Sequence, residues 1–312
     1  MRHAAHRSLL PASPPKKRRY IAPTPEVGWH TFSHQAAAFE FIDALHAERS
    51  RMPNADEQEP KLWALEQDSQ GKRSYVVATL DDFWRRYRTL QPQLRHYYEL
   101  IRQGCPCNLY FDLEFCKRSN PHLGDSGGDA LVATLKDETL SALRRLYFEG
   151  EEEAGDANSG CTIVDLDSST EKKFSRHLVV RLPGAAFADA LHCGRFVHAL
   201  CSRLLERRAG ERAVAALFVA PPLANAEADP EVSQSSASES SPAHAHTCIV
   251  DMSVYSRNRC FRLYKSAKAG KTAALLPHGW SEERLYFMSH QDEAQLFAQS
   301  LVTEVPAGAR LH

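Results

Sequence analysis

The chain has 312 residues, 43% of them hydrophobic, enough to bury one large core or two modest ones. A formal net charge of −1 excludes a protein that grips nucleic acid along its whole surface, so any such contact must come from a local basic patch. The eight cysteines include no Cys-x-x-Cys pair, which argues for reduced thiols over a zinc site, and no apolar run is long enough to span a membrane.

In chain order, the first twenty residues contain no acid. Arg2, Arg7, Ser8 and the Leu9–Leu10 pair resemble a mitochondrial presequence, whereas Pro15 to Arg19 (PKKRR) reads as a nuclear localisation signal. Both addresses stay open, as does a tail with none, and residues 1–28 are expected to be a disordered basic tail. From Thr31 the pattern turns helical, with Ser33 as N-cap and Phe39, Ile42 and Leu45 as an apolar stripe. Strands at 62–66 and 74–78 flank a turn at 68–73, and Thr79 with Asp82 forms a capping box for a helix through Phe83, Trp84 and Tyr87. A strand at 96–101 completes a small α/β module, 29–104, with a basic turn at its edge.

The stretch 106–115 (PCNLYFDLEF) alternates as a half-buried strand does: Leu109, Phe111, Leu113 and Phe115 share one face, and Tyr110, Asp112 and Glu114 the other. Two carboxylates side by side on a rigid element cost stability unless a cation neutralises them, and oxygen ligands so placed suit Mg²⁺ or Mn²⁺ held with phosphates. The competing reading is an exposed strand with two ordinary surface acids. A Gly/Ser/Asp loop, a helix at 130–148, a strand at 162–166 and a turn at 167–170 follow. In 172–182 (KKFSRHLVVRL), Ser175 and His177 share a strand face behind Lys172 and Lys173. No nucleophile elbow or third triad member accompanies that pair, which argues against a serine hydrolase. Helix is expected over 191–215 with a break at Gly210, then a disordered insert at 220–246 rich in Pro, Ser, Ala and Glu. Within 249–268 (IVDMSVYSRNRCFRLYKSAK), Asp251 precedes a basic cluster in which Phe261 and Leu263 alternate with Arg262 and Tyr264, turning Arg262 away from the core. A helix at 292–301 and a short tail, 306–312, end the chain.

Acid pair, Ser-x-His and apolar-Asp, in that order, resemble the three motifs of the archaeo-eukaryotic primase superfamily. The surrounding LYFDLEF, LDSSTEKKFSRHL and VYSRNRCFRLYKSAKAGK are similar to its eukaryotic primase-polymerase branch, from about Trp29 to Val302 outside the insert. The resemblance implies an α+β catalytic core, with the 29–104 module, a larger RRM-like module over 105–219 and 247–305, and the active site in the cleft between them. It implies metal-dependent, template-directed DNA synthesis from deoxy- or ribonucleoside triphosphates, with priming, and a role in repriming or damage tolerance in nucleus, mitochondrion or both. Carried over residue by residue, Asp112, Glu114 and Asp251 would bind two divalent ions, Mn²⁺ or Mg²⁺. Lys173, Ser175, His177, Arg262 and Lys268 would bind triphosphate, Lys72 and Arg73 the template, and Tyr98 would lie on the sugar side. His34 stands where relatives have Arg, and Cys260 where they have a polar residue. Longer members continue into a zinc-binding region and a partner-binding tail that residues 1–312 do not include. Zinc is therefore not expected here, and contact with a single-strand-binding protein would need that tail. The expected state is a monomer on a DNA template and primer, away from membranes. Two rivals are a catalytically silent single-strand-binding module and a metal-dependent nuclease. A primer-extension assay separates all three.

Overall fold

A computed structural model of the chain describes residues 28–51, 58–147, 160–222 and 246–311. Most of the basic tail, and residues 223–245 of the expected insert, lie outside the described residues. Strand β1 (His30–Phe32) leads into helix α1 (Gln35–Arg51), which starts two residues beyond Ser33 and buries Ala38, Ile42 and Leu45. Phe39, expected on that stripe, is half-buried beneath the Arg102 guanidinium, 4.6 Å above its ring. Strands β2 (Pro60–Glu66) and β3 (Arg73–Thr79) pair antiparallel. Their turn is set by Asp68, whose Oδ1 accepts the amides of Gln70 and Lys72, and by Gly71 at φ +85°, a conformation that favours glycine. Thr79 caps α2 (Leu80–Tyr87) by accepting the Asp82 amide at 3.1 Å, as the capping box predicts. The buried face of α2 then stacks Phe83 on Trp63 with ring centroids 3.8 Å apart. Strand β4 (Tyr97–Ile101) follows.

Strand β5 (Leu109–Cys116) carries the acid pair. Helix α3 (Gly124–Tyr147) begins six residues before the predicted start, so most of the expected Gly/Ser/Asp loop is helical. Gly128 serves packing: a Cβ there would stand 2.2 Å from the Phe174 ring. Gly128→Val is accordingly expected to lower stability by about 1–3 kcal/mol through overpacking, read as an earlier urea midpoint with unchanged slope. Strands β6 (Thr162–Asp167), β7 (Lys173–Arg181) and β8 (Ala185–Ala186) come next. The helical stretch at 191–215 is two helices, α4 (Ala190–Arg207) and α5 (Arg212–Ala216), interrupted around Gly210 as the sequence suggests. Strands β9 (Phe218–Val219) and β10 (Thr247–Cys248) pair antiparallel, on either side of residues 223–245. The chain ends with β11 (Arg259–Arg262), β12 (Leu276–Pro277), α6 (Glu282–Tyr286), α7 (His290–Gln299) and β13 (Arg310–Leu311).

The class is α+β, as expected, with two principal antiparallel sheets. The first has the order β1-β3-β2-β4-β11 and the second β12-β6-β7-β5. The partition drawn from sequence is crossed at one point. Residues 259–262 fall within a segment assigned to the second module, yet β11 pairs with β4 (Arg259 opposite Ile101, Arg262 opposite Tyr98) and completes the first sheet. The reason is that Phe261 presents its ring to the buried interface between the sheets, where it meets Tyr110 and His177. Tyr264, expected to face away from the core with Arg262, is fully buried instead. Strand β11 stops at Arg262, Lys265 takes φ +64°, and the Tyr264 carbonyl accepts the Tyr87 hydroxyl at 2.5 Å, so the alternation no longer applies. Glu99 of β4, 1% exposed, accepts the amides of Val302 and Thr303 at 2.9 Å each and fastens the segment after α7 beside that strand.

Candidate active site

The register of β5 with β7 builds the site from two strands. Asp112 lies opposite His177, and Glu114 opposite Ser175, so alternation places all four on the face turned toward the first sheet. The other face carries Phe115 stacked on Phe174 at 4.7 Å and is covered by α3. Along the free side of β5 runs the segment 249–251. The Ile249 carbonyl accepts the Glu114 amide at 2.9 Å, Val250 bridges Leu113, and the Asp251 amide donates to the Asp112 carbonyl at 2.8 Å. Asp251 is thus brought beside Asp112 by backbone pairing. It does not sit in a strand of its own: the chain turns at once into the 3-10 segment Met252–Val254, which Asp251 caps.

A cleft of about 470 Å³ opens over these residues. Its wall includes the three acids, the cations Arg73, Lys173, Arg259 and Lys268, the aromatics Tyr75 and Tyr98, and Gln35 at the start of α1. The acids of two segments far apart in sequence therefore face one space, the condition on which the primase resemblance depends. Burial, then the neighbouring charges of Glu114 and Asp251, push the Asp112 carboxyl up to about 7, against the pull of Lys173 and Arg262. Its Oδ1 is buried without a hydrogen-bond partner. The other two acids are engaged. Glu114 Oε2 accepts from Lys173 Nζ at 2.5 Å, and Asp251 accepts the Ser253 amide at 2.8 Å and its hydroxyl at 2.9 Å. Among the described residues, no three His, Cys, Asp or Glu side chains are gathered as a ready-made metal cage.

The remaining expected residues divide into two layers. Lys173 and the exposed Lys268 line the cleft; desolvation, then Lys173 and Arg262, hold the Lys268 ammonium below its ordinary value. Ser175, His177 and Arg262 are not part of the wall and lie beneath it. His177 is stacked on Phe261 at 4.2 Å, with Nε2 3.6 Å from Asp112 Oδ1. Desolvation, then Arg262, Lys268, Lys173 and Arg259, hold it well below the ordinary histidine value, so it is neutral at pH 7. Arg262 donates to Ser168 Oγ at 2.8 Å and to the Ala273 carbonyl at 3.2 Å, and Ser168 Oγ in turn donates to Ser175 Oγ at 3.1 Å. Of the basic turn, Arg73 reaches the cleft, while Lys72 is exposed outside it; His34 is likewise exposed, one residue before Gln35. Cys260 is on the wall.

Sequence reasoning missed Glu66. Its Oε2 accepts the Tyr98 hydroxyl and the Ala269 amide, both at 2.8 Å, and its Oε1 stands 3.3 Å from the Arg73 guanidinium. One buried carboxylate thereby fixes β4, β3 and the loop after Lys268. Nothing in the alternation of β2 distinguishes it, because each partner is remote in sequence or on another strand. Arg259, also missed, lies in the quoted SRNR stretch, where its charge was a usable signal.

No protein-family model matches the chain. It is 32% identical over 315 aligned residues to the DNA-directed primase/polymerase protein of Danio rerio, covering 95% of this chain and 54% of that one. To the protein of the same name from Homo sapiens it is 31% identical over 350 residues, 97% of this chain and 57% of the other. To that of Gallus gallus it is 32% identical over 289 residues, 79% and 46%. The chain spans about half the length of the curated relatives it matches. Its sequence, threaded through a cleft that unites the acids of the first and third motifs, makes it a homologue of the DNA-directed primase/polymerase proteins.

Proposed function

We propose that the chain is a primase-polymerase catalytic core that transfers nucleotidyl units from nucleoside triphosphates to the 3′-hydroxyl of a primer on a DNA template. The observation that carries this reading is the meeting of Asp112, Glu114 and Asp251 with Arg73, Lys173 and Lys268 in one cleft. Acids alone would suit a cation, and cations alone a phosphate; side by side they suit a metal-bound triphosphate. The donor set fits Mg²⁺ or Mn²⁺, because the unpartnered buried Oδ1 and the crowded charge at Asp112 are what an oxygen-seeking cation relieves. Asp112, Glu114 and Asp251 would hold the ions, which when bound supply charge stabilisation to the phosphates and acidify the attacking hydroxyl.

The chain's own groups do the rest. Lys173 neutralises Glu114 and is placed to turn to a phosphate oxygen. Lys268, already disfavoured as a cation by desolvation and then by Lys173 and Arg262, gains most from an anion arriving beside it. Neutral His177 can donate one hydrogen bond without adding charge to the floor. Arg262 and Ser175, linked through Ser168, reach the triphosphate only as a second row beneath that floor. Tyr98, locked by Glu66, offers a fixed ring edge to the sugar, and Arg73 with Lys72 the template contact. By the same reading the DNA, the nucleotides and a role in restarting stalled synthesis belong to this chain.

The test is extension of a labelled primer on a DNA template with deoxynucleotides and Mg²⁺ or Mn²⁺. Lengthened primer is expected. Shortened primer would point to a nuclease, and a mobility shift without lengthening under either metal would leave only a binding module. Lys173→Met should raise the KM for nucleotide about tenfold or more, as expected for removing one charged hydrogen bond to phosphate.

A further inference from the structure

Two pairs of cysteines stand in sulfur contact. Cys107 and Cys193 are 3.6 Å apart, both wholly buried in the core. Cys201 and Cys248 are 3.8 Å apart and only half-buried. Cys248 lines a groove of about 310 Å³ whose wall also includes Glu114, Lys173 and Asp251, so small solutes reach it from the catalytic side. The location is structurally sensitive. Cys201 belongs to α4, and Cys248 ends β10; the next three residues are those that add to β5 and deliver Asp251. A covalent link here would tie α4 to the aspartate segment.

We propose that Cys201 and Cys248 form a site of reversible oxidation, joined by hydrogen peroxide into an intrachain disulfide. The sulfurs are already in contact and need only close toward about 2.0 Å. Chemistry distinguishes the partners. The Cys201 thiol donates to Cys248, and with the amides of Val250 and Ile249 this holds the Cys248 thiol below its ordinary value despite burial. The same hydrogen bond and burial push Cys201 up. Cys248 is therefore the attacking sulfur and Cys201 the resolving one. The Cys248 thiolate attacks one peroxide oxygen; the O–O bond breaks, hydroxide leaves and is protonated to water, and Cys248 becomes a sulfenic acid. The Cys201 sulfur then displaces the sulfenic hydroxyl: the S–S bond forms, the S–O bond breaks, and the Cys201 proton leaves with that hydroxyl as a second water. Two thiols are oxidised to one disulfide, and one peroxide is reduced to two waters. A dithiol reverses it.

The buried Cys107–Cys193 pair is an internal control, closer in distance but closed to solvent, with Cys193 pushed well up by burial. The experiment is peptide mapping by mass spectrometry after graded hydrogen peroxide, on the whole chain, with and without dithiothreitol. The expected result is a Cys201–Cys248 peptide pair two hydrogens lighter than its reduced parts, abolished by dithiothreitol, while Cys107 and Cys193 stay alkylatable. Cys201→Ser should remove the cross-link and leave a Cys248 sulfenic acid that dimedone traps. Oxidation should also raise the melting temperature of the wild type and leave that of Cys201→Ser unchanged. The proposal is overturned if Cys107–Cys193 bridges at the same dose, or if Cys201 and Cys248 remain free while the half-exposed Cys105 is oxidised. The readout is covalent, so it stands or falls independently of nucleotide incorporation.

Discussion

Asp112→Asn is expected to abolish nucleotide incorporation and, in the same variant, to make the metal-free protein more stable. The two effects share one cause. Asp112 is half-buried beside Glu114 and Asp251, and desolvation, then those charges, push its carboxyl up to about 7 from an ordinary 3.8. The folded state therefore holds a proton on Asp112 that the unfolded chain has lost between those two values. Stability contributed by that proton is complete below about pH 4 and is lost as pH rises through 7. With 18% of the side chain open to water, screening leaves about 1–2 kcal/mol of destabilisation at pH 8, which asparagine removes. Thermal unfolding in EDTA should show Asp112→Asn melting higher than wild type at pH 8 and level with it near pH 4. Adding Mn²⁺ should raise only the wild type. Incorporation should fall roughly a thousandfold or more, the scale of losing a principal electrostatic group. A variant that keeps activity would remove Asp112 from the catalytic set; one that loses activity and melts lower would make its role structural.

Arg176→Met is expected to be among the most destabilising single changes in the chain, by about 3–5 kcal/mol, without touching the cleft. Arg176 lies between Ser175 and His177 on β7 and so points to the opposite face, where it is 1% exposed. There it pairs with Asp129 of α3, stands 3.0 Å from Asp165 and 3.2 Å from Asp167 of β6, and meets His278 at 3.0 Å. Methionine would fill the space but leave three carboxylates crowded, with Lys136 bonded to Asp165 at 2.7 Å and His278 within 3.5 Å of Asp129 and Asp167 to balance them. Urea unfolding measures the loss. Replacing Asp129 and Asp165 by asparagine in the same variant should recover much of it, since the cost is uncompensated charge.

The sequence made faces legible and neighbours illegible. A two-residue strand period and a three-residue capping box are both local, so the acid pair on β5, the Ser175/His177 face and the Thr79 cap could all be read directly. The convergence of Asp251 on Asp112 could not be: it depends on backbone pairing of 249–251 with β5, and only the resemblance to known motifs anticipated it. The hold of Lys173 on Glu114 was not legible, because the two are 59 residues apart and meet only through the register of β5 with β7. Arg176 is legible in the strand pattern. It shares its strand face with Phe174, Leu178 and Val180, and a lone charge in an apolar row implies a buried, partnered ion. The early start of α3 was hidden because its glycines read as loop formers, whereas Gly128 is there to let Phe174 close in.

The position of β11 governs how the protein can be made. While it is being synthesised, a nascent chain released as far as residue 104 carries β4 with one long edge unsatisfied, because its neighbour, Arg259–Arg262, has yet to leave the ribosome. The N-terminal sheet must wait for the last fifth of the polypeptide, and a stop codon placed between the two halves should give insoluble product where the intact reading frame gives soluble protein.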